Sequence, residues 1–194
     1  MRAITGKYKG RHFDIPSNFK ARPTTDFAKE NLFNVLCNMV DFENLSVLDL
    51  FAGTGSISLE FLSRGCARVV SVEKDSRHFA FIRSIMAKLQ DKASVILRMD
   101  AFRYIQRSSE QFDLIFADPP YALPELSEIP DRIFSGSLLK DGLYWNTGKT
   151  WIFRLIRISW SIVPTAASIF LFFVNDIPRL FPWQGVNNPI GNLW

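Results

Sequence analysis

Four consecutive residues, Asp118-Pro119-Pro120-Tyr121, have the types and order needed to work on an aromatic amino group. Such an amine is a weak nucleophile, because its lone pair is delocalised into the ring. A site that alkylates it must accept its N–H bonds, so that the nitrogen pyramidalises as the new bond forms. The Asp118 carboxylate and the Pro119 carbonyl can both accept. Two prolines stiffen the loop and fix its carbonyls. Tyr121 offers a ring on which a base taken out of its stack can lie. The bland reading of these four residues is a proline-rich turn with a capping acid.

Upstream, Phe51-Ala52-Gly53-Thr54-Gly55 is a tight glycine turn that lets a ligand approach the backbone. It is neither G-x-G-x-x-G nor a P-loop, which would add a lysine. Asp49, just before it, would repel a phosphate and attract a cation such as the amino-acid end of S-adenosylmethionine. Glu73, followed by Lys74, is placed to accept hydrogen bonds from two ribose hydroxyls, as the acid after the second strand does in dinucleotide folds. Asp100, followed by Ala101, is placed to read an exocyclic amine on adenine. Each acid alone could instead cap a helix. No metal site is expected, since Cys37 and Cys66 match no ligand or disulfide spacing.

The elements that must position these residues follow from hydrophobic periodicity. Ser46–Leu50, Arg68–Glu73, Ser94–Arg98 and Phe112–Ala117 are short apolar runs, each with an acid within two residues of its carboxyl end, and read as buried parallel strands. Helices are expected from Asp26, with Phe27, Leu32, Phe33, Leu36 and Val40 at helical spacing, over Ser56–Ser63, and over Ser76–Leu89. Strands alternating with helices make a doubly wound α/β sheet, whose ligands sit at the carboxyl ends of the strands. Asp49, Glu73, Asp100 and Asp118 all fall at such ends. Met1–Phe13 alternates weakly and reads as a hairpin.

Charge is distributed unevenly. Residues 1–144 carry a net charge of about +1 and residues 145–194 about +3, within the formal +4 of the chain. Met1–Arg22 holds Arg2, Lys7, Lys9, Arg11, Lys20 and Arg22 against Asp14 alone. A basic arm on a nearly neutral body suits a polyanionic partner. The cysteine usage and the lack of a charged-then-apolar leader fit a reduced, cytoplasmic compartment.

Val47-Leu48-Asp49-Leu50-Phe51-Ala52-Gly53-Thr54-Gly55 together with Asp118-Pro119-Pro120-Tyr121 resembles the class I, Rossmann-like amino-methyltransferases that use S-adenosylmethionine. DNA adenine-N6 and RNA guanine-N2 enzymes share these motifs. Met1–Arg11, Arg22-Pro23-Thr24-Thr25-Asp26 and Glu30–Asn34 narrow the resemblance to the bacterial 16S ribosomal RNA guanine-N2 methyltransferases, over about residues 1–144. The resemblance implies that Asp49, Phe51, Ala52, Gly53, Thr54, Gly55, Glu73, Lys74, Asp100 and Ala101 hold the cofactor. It implies that Asp118, Pro119, Pro120 and Tyr121 hold the guanine. Arg2, Lys7, Lys9, Arg11, Arg22, Pro23, Thr24 and Thr25 would touch RNA of the small ribosomal subunit. Residues 1–25 would then be the RNA-binding hairpin and loop, and 26–144 the catalytic domain of a monomer. The competing readings are a DNA adenine-N6 enzyme and an RNA-binding protein that has lost catalysis.

After Asp141-Gly142-Leu143 the resemblance stops. All five tryptophans (Trp145, Trp151, Trp160, Trp183 and Trp194) lie in the last fifty residues, and Ile158–Val174 is uncharged. A membrane segment is the less favoured reading, because the run is short and holds Pro164. A one-base frameshift near Leu143 or Tyr144 fits better. With permitted codons, a shifted frame turns Tyr144–Trp151 into LEHGKDLD and Ile156–Leu171 into HPHFMEHRPYGSVNFS, which resembles the closing hairpin of the family. Residues 145–194 are therefore expected to be an aberrant, out-of-frame tail. The C-terminal strands would be lost, leaving an open sheet edge prone to aggregation.

Overall fold

The computed structural model describes residues 1–140, apart from residues 18, 20–23, 39, 121–122 and 136–137, together with two strands at 155–158 and 168–174. The described chain runs α1 (Asp26–Cys37), β1 (Ser46–Asp49), α2 (Ser56–Ser63), β2 (Arg68–Glu73), α3 (Ser76–Leu89), β3 (Ser94–Arg98), α4 (Ala101–Arg107), β4 (Leu114–Ala117), α5 (Ile129–Ser135), β5 (Leu155–Ile158) and β6 (Ser168–Val174). A 3-10 turn, Leu126–Glu128, precedes α5. The six strands form one sheet in the order β3-β2-β1-β4-β6-β5.

The first four strands are parallel. From β1 the chain winds outward to β2 and β3, then returns to place β4 on the other side of β1. That reversal opens a crevice at the carboxyl ends of β1 and β4, where ligands bind in such sheets. Successive side chains of a strand point to opposite faces, so a strand covered on both sides is apolar throughout. Val47, Val69, Leu114 and Phe116 face a core shared with Leu32, Phe33 and Leu36 of α1, Phe61 and Leu62 of α2 and Ile82 of α3. Leu48, Val70, Val72 and Ile115 face a second core with Tyr104 and Ile105 of α4 and Ile129 and Ile133 of α5. The doubly wound sheet is therefore the one the apolar runs predict.

The N-terminal hairpin docks on the C-terminal end of α2. Arg2 and His12 form an antiparallel bridge, and the Phe13 N–H donates to the Met1 carbonyl at 2.9 Å. At the turn, the Lys7 N–H donates to the Ser63 carbonyl at 2.7 Å. Gly6 is required here: its φ is +83°, and a Cβ would lie 1.8 Å from the Ser63 carbonyl oxygen.

The tail departs from expectation. The edge of β4 is not open: β6 pairs with it antiparallel, with Ile115 opposite Phe173, and β5 pairs antiparallel with β6. The expected loss of all C-terminal strands is corrected on this point. The physical reason is local. Ser-Ile-Phe-Leu-Phe-Phe-Val is rich in β-branched and aromatic residues, and an unpaired strand edge is a template for any such segment. Residues 141–154, 159–167 and 175–194 lie outside the described residues, and with them most of the expected aberrant tail. No described helix is long and apolar enough to cross a membrane, and Ser168–Val174, within the uncharged run, is a strand of the sheet.

Candidate active site

The four acids converge. Asp49, Glu73, Asp100 and Asp118 all line one cavity of about 830 Å³ at the carboxyl ends of the parallel strands. Phe51, Ala52, Gly53 and Thr54 of the glycine turn line it too, as do Lys74, Ala101, Pro119 and Pro120. Gly55 stands just outside, as the N-cap of α2. Its φ is +76°, and a Cβ there would come within 3.0 Å of the Ile82 side chain on α3. Glycine at this position therefore lets the turn close and lets α3 pack beneath it. Tyr121 lies outside the described residues.

Each acid has its own environment. Asp49 is fully buried, and its Oδ2 accepts from Ser58 Oγ at 2.6 Å; Ser71 Oγ donates in turn to Ser58 Oγ at 2.8 Å. Its Oδ1 has no partner among the described residues. Burial pushes the Asp49 carboxyl up to about 7, with the bond from Ser58 opposing the rise and the charges of Asp118 and Glu73 adding to it. Burial alone lifts Asp118 to about 6. Among the described helices, α2 is capped by Gly55 and α4 by Asp100, so neither Asp49 nor Asp118 serves as their cap.

Glu73 is more occupied than its sequence position suggests. Its Oε2 accepts from the Gly53 N–H at 2.7 Å and its Oε1 from the Asp75 N–H at 2.6 Å. It thus braces the glycine turn against the start of α3. A carboxylate offers about four acceptor directions, so two remain for a ribose. Asp100 is the N-cap of α4, accepting from the Phe102 and Arg103 N–H groups, and its Oδ2 pairs with Lys74 Nζ at 3.2 Å. The capping role and the cavity position therefore coexist in one side chain.

The residues expected to touch RNA divide. Arg2 pairs with Asp26 at 3.1 Å and Lys7 with Asp91 at 3.0 Å, so both cations have partners within the protein. Lys9 forms no ion pair among the described residues, and the Arg11 guanidinium sits over the Tyr8 ring at 5.6 Å. Thr25 Oγ1 accepts from the Ala28 N–H as the cap of α1. Thr24 lines the cavity itself. Arg22 and Pro23 lie outside the described residues.

Sequence reasoning missed several cavity residues, among them His78 of α3, Arg98 at the end of β3 and Ser56. Arg98 and Ser56 carried a usable signal, since each sits within three residues of a motif already singled out. No described group of His, Cys, Asp and Glu is arranged to hold a metal. Cys66 is buried in the core that includes Phe61 and Leu62, and burial pushes its thiol up to about 12.

The family model described as conserved hypothetical protein 95 matches residues 1–147. The chain is 33% identical over 145 residues to YlbH of Bacillus subtilis (strain 168), covering 73% of this chain and 78% of that one. It is 29% identical over 141 residues to the ribosomal RNA small subunit methyltransferase D of Escherichia coli (strain K12), covering 73% and 70%. The solved structure of yhhF from Escherichia coli superposes with a TM-score of 0.65 at 27% identity, over 73% of this chain and 75% of that one. The matched span holds the parallel sheet, the glycine turn and all four acids, and so the chain belongs to the conserved hypothetical protein 95 family and is a methyltransferase of the Rossmann-like class.

Proposed function

We propose that this protein transfers a methyl group from S-adenosylmethionine to the exocyclic N2 amine of a guanine in 16S ribosomal RNA of the small subunit. One observation carries the reading: Asp118-Pro119-Pro120 opens on the same cavity as the glycine turn and Asp49. The name of the Escherichia coli relative supports a small-subunit RNA as the substrate.

The cavity suits the cofactor chemically. Asp49 Oδ1 is a buried acceptor without a partner, which an ammonium would satisfy. Glu73 and Asp100 stand where the ribose and adenine would be held, and the glycine turn leaves its backbone open to approach. The cofactor supplies an electrophilic methyl group on a sulfonium. Asp118 and the Pro119 carbonyl hold the two amine protons and keep the nitrogen lone pair free of the ring. Above about pH 6 Asp118 is ionised and accepts; below it, the carboxyl is protonated and loses that capacity. In this reading residues 1–25 form the RNA arm and 26–144 the catalytic domain of a cytoplasmic monomer.

Tritium transfer from labelled cofactor tests the substrate. Label is expected in 16S RNA within 30S particles, more than in naked 16S RNA, and not in duplex DNA. Transfer to DNA alone would overturn the reading in favour of an adenine-N6 enzyme.

We propose further that residues 145–194 are out-of-frame translation. The family match ends at residue 147, three residues into that tail. Sequencing codons 140–176 in the source genome is expected to reveal a one-base difference near codon 143 or 144. A single intact frame through codon 194 would refute it.

A further inference from the structure

Lys29 has no part in the chemistry above, yet its setting is unusual. Its side chain is fully buried, on the α1 face that also carries Leu32, Phe33 and Leu36. An ammonium in such a place is costly unless its donors are used. Its Nζ donates to the Arg2 carbonyl of the hairpin and, at 3.1 Å, to Ser56 Oγ. The only carboxylate within 4.0 Å among the described residues is that of Asp26, at 3.9 Å. Burial holds the Lys29 ammonium below its usual range, while the charges of Glu60 and Asp26 oppose that shift.

The two partners belong to different machinery. Ser56 is the first residue of α2, directly after the glycine turn, and it lines the cavity. Arg2 belongs to the basic hairpin. One helical turn beyond Ser56, Glu60 is also fully buried, and its carboxylate accepts from the Ile4 and Thr5 N–H groups at 2.8 and 3.1 Å. The hairpin strand is thus gripped by a donor from α1 and an acceptor from α2. A packing role alone would be served by leucine or methionine at position 29.

We propose that Lys29 is a positioning residue for methyl transfer, holding Ser56 and the Arg2 carbonyl together so that the cofactor turn stays in register with the RNA-binding hairpin. The inference rests on the function proposed above. Asp118 is untouched by this link, so turnover at saturation is retained while both ligands bind less well.

Calorimetric titration of the full chain with S-adenosylmethionine tests it, using Lys29→Met, Ser56→Ala and the double variant. Each single change is expected to weaken cofactor binding about tenfold, the size of one charge-assisted hydrogen bond. The double change is expected to be no worse than either single one, because all three lose the same bond. KM for the 30S particle rises with Lys29→Met, with kcat within about twofold of the parent, whereas Leu36→Ala lowers the melting temperature without altering cofactor affinity. Additive effects, or an unchanged affinity in folded Ser56→Ala, would overturn the proposal. If Lys29→Met does not fold, Ser56→Ala decides alone. Failure of the parent chain to bind cofactor would instead count against the proposed function.

Discussion

Asp118→Ala is expected to slow methyl transfer by about a thousandfold, equivalent to about 4 kcal/mol of transition-state stabilisation, and to leave cofactor affinity within a few fold. Asp118 follows β4 at the switch point of the sheet and faces the cavity beside Pro119 and Pro120. Its carboxylate is the charged acceptor available to the amine, and burial has lifted it to about 6. A raised carboxyl is a better proton acceptor once ionised, and it is ionised at neutral pH. The parent rate should therefore climb as pH rises through about 6 and level off above. Asp118→Asn keeps one acceptor oxygen and loses the charge, so its rate should be intermediate and the inflection near pH 6 should vanish. Single-turnover transfer to 30S particles between pH 5 and 8.5 measures both. A rate for Asp118→Ala within tenfold of the parent, in protein that still binds cofactor, would falsify the role.

The alternation of buried strands and amphipathic helices was legible because each periodic signal spans a whole element. β2, β3, α2 and α3 start and stop at the residues the apolar pattern indicates. The strand-end acids were legible for a related reason: in a doubly wound sheet, position along a strand maps onto position in the crevice. Pairings between distant segments were not. Nothing near Arg2 or Lys7 in sequence announces that Asp26 and Asp91 will neutralise them. Lys29 falls at helical spacing with Leu32, Phe33 and Leu36, and a lysine on an apolar face was the one available sign of a buried donor. Its acceptors come from the hairpin and α2, so the bond appears only when the three segments meet. Asp100 shows the opposite limit, since one acid both caps α4 through Oδ1 and lines the cavity, two places that its position in the sequence offers as alternatives.

Asp49→Asn should trade binding for stability. The parent carboxyl is buried at the end of β1, with Oδ2 held by Ser58 and Oδ1 unpartnered. Burial raises it to about 7, well above the value of an unfolded aspartate. The sign follows from proton counting. Between about pH 4 and 7 the folded protein holds a proton at Asp49 that the unfolded chain has released, so stability from this group is present at low pH and is lost as pH rises through about 7. Asparagine has no such proton, and its advantage should grow across that window and then stay constant, reaching at most a few kcal/mol. The cofactor-free variant should accordingly melt several degrees higher than the parent at pH 8, with a smaller gap at pH 5. The same change removes the countercharge for the cofactor's ammonium, and affinity should fall by more than about a hundredfold, the scale of a buried charged hydrogen bond. Binding to the parent at pH 6.5 should release a proton, because a cation beside Asp49 favours its ionised form; the variant should release none. Melting curves across pH 5–8.5, with calorimetry in two buffers of different ionisation enthalpy, read all three effects. Equal stability of the two proteins at pH 8 would refute the raised Asp49 carboxyl, and undiminished binding by Asp49→Asn would remove Asp49 from the cofactor site.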